Sequence, residues 1–155
     1  MPHLRQCRRF DVGGIVCGPP TRAKYAILSY IMHMWIPRAV ESRLQRSAKT
    51  RPVVVLTGAR QTGKTSTFLR LFPKHGFVSL DLPAEAEQAE KEPDTFLQRH
   101  PPPVLIDEVQ YAPGLFRYLK VAVDASRTRN GQFLLTGSQK FTLMKNVSEL
   151  SLIHI

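Results

Sequence analysis

Eight consecutive residues, Gly58-Ala59-Arg60-Gln61-Thr62-Gly63-Lys64-Thr65, have the types and spacing to hold a nucleoside triphosphate. They fit the phosphate-binding loop pattern, in which two spaced glycines precede Lys and Ser or Thr. The glycines permit a tight loop whose backbone N–H groups turn inward toward phosphate oxygens. Lys64 would reach the β- and γ-phosphates as a point charge, and so counts as a catalytic candidate too. The Thr65 hydroxyl would ligate the Mg²⁺ that bridges those phosphates. A helix starting near Gly63 would add the positive end of its dipole. Ser66 extends the candidate nucleotide-binding set, which runs from Gly58 to Ser66. The bland alternative is a glycine turn with no ligand.

A phosphate loop needs a carboxylate for the metal, and Val104-Leu105-Ile106-Asp107-Glu108 offers two in a row. Asp107, at the end of an apolar run, would hold Mg²⁺ through its water shell. Glu108 would polarise the water that attacks the γ-phosphate, as a general base or an orienting group. Read alone, the pair would equally suit an acidic strand-to-loop turn. Downstream, Gln132-Phe133-Leu134-Leu135-Thr136 leads into Gly137-Ser138-Gln139. Thr136 or Ser138 would sit between the carboxylates and the γ-phosphate and help place the water. Alternatively, Ser138 only caps a helix beginning near Gln139.

These groups need elements to position them. Pro52 to Thr57 is a short apolar, β-branched run of the kind that forms a buried parallel strand. Ser66 to Phe72 has apolar residues at helical spacing. Residues 52–136 then alternate: strand 52–57, helix 63–72, strand 77–81, helical stretches within 84–99, strand 103–107, helix 114–126, strand 132–136. Such alternation predicts an α/β fold, a parallel sheet with helices on both faces. Ligands of such sheets bind at the C-terminal ends of the strands. Residues 37–49 predict an amphipathic basic helix with Val40, Leu44 and Ala48 on one face. It could lie beside an adenine or simply pack on the core. The charged run Glu85 to Glu92 reads as a solvated helix face.

With these stretches in view, the chain resembles the bacterial and archaeal AAA-type ATPases that carry a C-terminal domain of unknown function. Ile36-Pro37-Arg38 resembles the group's lead-in segment, and Gly58 to Ser66 its phosphate loop, including Arg60 and Gln61. Leu80-Asp81 resembles the end of its second strand, and Leu105-Ile106-Asp107-Glu108-Val109-Gln110 its second Walker motif. Pro113 to Asp124 resembles the following helix, and Gly131 to Gln139 the sensor strand. The discriminating stretches are Asp-Glu-Val-Gln and Thr-Gly-Ser-Gln. The resemblance covers residues 34 to 149. It implies an AAA-type P-loop NTPase sheet of strand order 1-4-3-2, with ATP and Mg²⁺ at Lys64, Thr65, Asp107 and Glu108. It implies Thr136 or Ser138 as sensor.

The departures matter as much. Members of the group have about the size of two or three domains. The match fades after Glu149, and Leu150-Ser151-Leu152-Ile153-His154-Ile155 does not continue the pattern. A fifth core strand, the helical lid and the C-terminal domain are therefore expected to be missing. The hypothesis is a truncated product of a frameshift, an early stop or a gene fragment. A reading frame for the lid just downstream would support it, and a native stop without such a remnant would count against it. AAA-type enzymes usually take an arginine from the lid or a neighbouring subunit. A homo-oligomer stays open on that ground, and no residue here is assigned to the role. An apolar sheet edge or face is expected where the missing parts belong.

Length and composition set the frame. The chain has 155 residues, enough for one domain, with ordinary apolar (43%) and charged (22%) contents for a soluble globular protein. The net charge of +10 is uneven: residues 1–51 carry ten Lys/Arg and two acids, residues 52–155 twelve and ten. Residues 1–33 are thus a basic extension and residues 34–155 an incomplete ATPase core. The basic lead could bind nucleic acid or an anionic membrane. It lacks the interleaved aromatics and the modules of nucleic-acid binders, which favours a solvated tail. Cys7 and Cys17 match no zinc spacing and suit free thiols in a reducing cytoplasm. The apolar stretch Tyr25 to Ile36 is too short to span a bilayer. Met32 or Met34 could be the true start, and an N-terminal peptide of native protein beginning at residue 1 would refute that.

The function expected from the residues is Mg-ATP binding with hydrolysis to ADP and phosphate. Its rivals are a nucleotide-binding module or fragment without turnover, and a small-molecule kinase. The adjacent acids at 107 and 108 suit water activation and disfavour the kinase.

Overall fold

The computed structural model describes residues 36–126, 128–138 and 153–154. The expectations for the basic extension, its cysteines, the start site, most of the apolar stretch at 25–36 and a last element at 139–149 lie outside those residues.

The sheet has five parallel strands: β1 (Val53–Thr57), β2 (Gly76–Ser79), β3 (Val104–Asp107), β4 (Phe133–Gly137) and β5 (Ile153–His154), in the order β2-β3-β4-β1-β5. The first four strands follow the expected order 1-4-3-2. Register aligns Thr57 with Gly137 and Ser79 with Asp107. The loop after β1 and the acids at the end of β3 therefore emerge at one edge of the sheet. The expectation that a fifth strand is missing is corrected: Ile153 and His154 pair with Val54 and Val55 on the outer side of β1. The free N–H and C=O groups of β1's outer edge take any extended neighbour in register.

Strict alternation splits the strand residues between two cores. Val53, Val55, Val104, Ile106, Phe133 and Leu135 pack on one face with Ala89, Phe96, Leu115, Phe116 and Leu119. Those partners come from helices α3 (Pro83–Lys91), α4 (Pro93–Arg99) and α5 (Leu115–Ala125). Val54, Leu56, Leu105 and Leu134 pack on the other face with Leu44, Ala48, Phe68 and Leu69. Those come from α1 (Glu41–Thr50) and α2 (Lys64–Leu71). Every residue of β3 and β4 is buried, which explains why these strands read as continuous apolar runs.

Leu44 and Ala48 of α1 are buried as its predicted face requires, but the helix starts four residues late. The Glu41 carboxylate reaches back to the Arg38 N–H at 2.8 Å and binds the Arg70 guanidinium of α2. It thereby holds the chain entering α1 in a turn. The exposed apolar sheet edge is not observed among the described residues. There, the exposed large hydrophobics are Ile36, Leu82, Tyr111, Tyr118 and Val121, all outside the strands. No helix among the described residues is long and apolar enough to cross a membrane.

Candidate functional site

The loop between β1 and α2 is anchored at its start by the Gly58 N–H, which donates to the Gly137 carbonyl at 3.3 Å. It closes on two left-handed residues, Gln61 at φ 58° and Gly63 at φ 72°. Only glycine adopts that conformation at no steric cost. The Thr62 hydroxyl donates to Ala59 O at 2.9 Å and braces the loop from within. At the far end Thr67 bonds Gly63 O through both its N–H (3.0 Å) and its hydroxyl (2.8 Å). Lys64 is buried, and its ammonium donates to Gly58 O at 3.1 Å and Ala59 O at 2.7 Å. The side chain lies along the loop it would serve. The first N–H groups of α2 lack intrahelical acceptors by helix geometry and sit at the positive end of its dipole. Ser66 is half-buried in that first turn, whereas Ala59, Arg60, Gln61 and Thr62 are exposed.

The two motifs meet. The Thr65 hydroxyl donates to Asp107 Oδ1 at 2.6 Å. The Thr136 hydroxyl donates to the same oxygen and accepts the Glu108 N–H at 3.1 Å. Asp107 is 7% exposed and Thr136 fully buried. Burial pushes the Asp107 carboxyl above its usual range, against the bonds from Thr136 and Thr65, and the charges of Glu108 and Asp81 add to the rise.

Glu108 stands in a different setting one residue on. Its backbone is left-handed, at φ 56°. Oε2 accepts from the Gln110 side-chain amide and from the Ser138 N–H at 3.2 Å. The same Gln110 nitrogen donates to Ser138 Oγ at 3.1 Å. Burial works against the Glu108 charge, but the donors at Gln110 and Ser138, with the charge of Lys64, outweigh it. Its carboxyl lies below the usual range. Neighbouring acids are thus driven in opposite directions.

The structure therefore brings Lys64, Thr65, Asp107, Glu108, Thr136 and Ser138 together. Three further residues touch this centre without a role read from sequence. Gln110 lies inside the Asp-Glu-Val-Gln stretch and was legible only as part of a motif. Arg38 binds Thr62 O and lies against Gly63. The Tyr111 hydroxyl accepts from Arg60 at 2.8 Å. No signal in the sequence pointed to Tyr111.

Comparison with known proteins agrees with this architecture. A sequence model described as an AAA domain matches residues 50–151. Uncharacterized proteins of Mycobacterium tuberculosis and Mycobacterium bovis are each 36% identical over 115 residues. That match takes in 72% of this chain and 25% of each relative. The chain thus spans about a quarter of the length of these relatives. Among solved structures, a Walker-type ATPase of Pyrococcus abyssi superposes with a TM-score of 0.51 at 19% identity, over 72% of this chain and 48% of that one. That likeness shows the fold. The family match extends from the end of α1, across the phosphate loop and all four principal strands, to beyond Ser138. This chain belongs to the AAA domain family, as an AAA-type P-loop ATPase core.

Proposed function

We propose that this chain binds Mg-ATP at the phosphate loop and transfers the terminal phosphoryl group to water, giving ADP and phosphate. The hydrogen bond from Thr65 to Asp107 carries this reading. It joins two motifs 42 residues apart into one pair of hard oxygen donors, the chemistry that suits Mg²⁺. Asp107 and Thr65 would hold the ion, whose contribution is to spread charge on the phosphate oxygens. A nearby cation would also offset the burial that raises Asp107.

The chain's own groups do the rest. The N–H groups of the first turn of α2 bind phosphate oxygens. Lys64 exchanges the carbonyls of Gly58 and Ala59 for the β- and γ-phosphates. Glu108, favoured in its ionised form, accepts a hydrogen bond from the attacking water and then its proton. The water oxygen bonds to the γ-phosphorus, and the bond to the β–γ bridging oxygen breaks. ADP leaves with that electron pair. Thr136 and Ser138 keep the two acids apart and oriented.

Calorimetric titration of the full chain with Mg-ATP, beside Lys64→Ala, tests the reading, with phosphate release followed in the same samples. Wild type should bind and release phosphate, and Lys64→Ala should lose about a hundredfold or more in turnover. Binding without release would leave a non-catalytic nucleotide module. Folded wild type that fails to bind would remove the proposal.

A further inference from the structure

The loop carries a second cation. Arg60 is exposed, lies four residues before Lys64, and donates from Nη2 to Tyr111 Oη at 2.8 Å, across 51 residues of sequence. Tyr111 ends the short 3-10 turn that follows Glu108, and its N–H donates to the Glu108 carbonyl at 3.2 Å. The Arg60 guanidinium therefore spans from the phosphate loop to the turn that follows the acids. Among the described residues it makes no ion pair, and its partner is a neutral phenol. A guanidinium in that setting exchanges readily for an anion, since charge-assisted bonds to phosphate are stronger than bonds to a neutral oxygen. The preceding residue, Ala59, offers its carbonyl to Lys64 at 2.7 Å. Arg60 and Lys64 thus stand on the same stretch of backbone, with Arg60 tied to the turn that follows Glu108.

We propose that Arg60 is a catalytic residue acting within its own chain, and that Tyr111 holds it while the site is empty. The inference rests on the ATPase reading above. When nucleotide binds, the guanidinium leaves the phenol for the oxygens of the transferring phosphoryl group. It gives up no proton. Its planar fork supplies positive charge where negative charge spreads in the transition state. The chain then carries its own charge-neutralising arginine at the loop.

The test uses the full chain and Mg-ADP, titrated with and without aluminium fluoride, which mimics the phosphoryl group in transfer. Wild type should bind Mg-ADP more tightly with the fluoride present. Arg60→Ala should lose most of that gain, about a hundredfold, over and above any change in its affinity for Mg-ADP alone. Arg60→Lys should fall between, because lysine lacks the fork. Tyr111→Phe should retain the full gain, since it removes only the resting partner. Arg60 is exposed, so circular dichroism and melting of its variants should match wild type. An equal gain in Arg60→Ala would overturn the assignment, as would an equal loss of Mg-ADP affinity itself. Wild type that binds Mg-ADP with no fluoride gain would remove the role of Arg60 and leave nucleotide binding standing. Wild type that fails to bind Mg-ADP would remove both.

Discussion

The Thr136 hydroxyl donates a hydrogen bond to Asp107 Oδ1 and accepts one from the backbone N–H of Glu108, so one buried side chain fixes both acids of the site. Thr136→Val keeps the shape but leaves Asp107 short of a donor and the Glu108 N–H short of an acceptor. Lost bonds to a buried charged group cost about 1.5–3 kcal/mol. Denaturant unfolding without nucleotide should show a loss of about 2 kcal/mol for Thr136→Val and little loss for Thr136→Ser. Equal stability of all three proteins would mean that the hydroxyl is not a structural tie.

Gln110 tests the setting of Glu108 from the other side. Its amide holds the Glu108 carboxylate and the Ser138 hydroxyl together. Gln110→Leu should leave Mg-ADP affinity nearly unchanged and reduce the rate of phosphate release, by up to about a hundredfold if the carboxylate drifts by an ångström. The split matters: a rise in KM with kcat intact would place Gln110 in binding instead of positioning.

The two glycines of the loop should fail for different reasons. At Gly63, φ is +72° and an added Cβ would come within 2.6 Å of the Arg38 guanidinium. Gly63→Ala should cost about 1–2 kcal/mol of stability through the left-handed backbone, with Arg38 shifting aside. At Gly58 an added Cβ would meet nothing closer than 3.8 Å. Gly58→Ala should therefore melt like wild type yet bind Mg-ATP more weakly, because the methyl occupies space that phosphate needs. Melting curves and titrations on the same preparations separate the two.

His100 should give the fold a dependence on pH away from the site. Its ring packs on Phe96 at 4.8 Å, tilted by 50°, and burial, with the charge of Arg99, holds it below its ordinary value of about 6.5, while Glu85 pulls it upward. The folded state therefore binds the proton less readily than the unfolded chain. The associated stability is present above about pH 6.5 and is lost as pH falls through the lower folded value. Urea midpoints should drop between pH 7.5 and 5.5, and His100→Gln should shallow that drop. An unchanged slope in the variant would assign the pH response to other groups.

Much of this molecule was legible before its coordinates. The phosphate loop, the acids at 107 and 108 and the four principal strands all stand where the residues pointed. Strand ends moved by one or two residues, as at β2, which closes at Ser79 although the Leu80 N–H still bonds Asp107 O at 3.0 Å. The short β5 was missed because two residues carry no periodicity of their own, and only the open side of β1 makes them a strand.

The linear sequence determined what is local. Glycine spacing, β-branched runs and the period of apolar residues act within a few positions of one another, and backbone sterics and burial translate them directly into loop, strand and helix. Tertiary structure alone decided which side chains share an atom. Thr65 and Thr136 converge on one oxygen of Asp107 from strands and helices 42 and 29 residues away, and Arg60 reaches Tyr111 across 51. Such meetings depend on the order 1-4-3-2, which sets β4 between β1 and β3 and so brings the ends of three strands to one edge. No periodicity along the chain records that order, which was expected only from the resemblance of the motifs to AAA-type ATPases. Burying both faces of a parallel sheet fixes that its strands are apolar throughout, not which strand lies beside which.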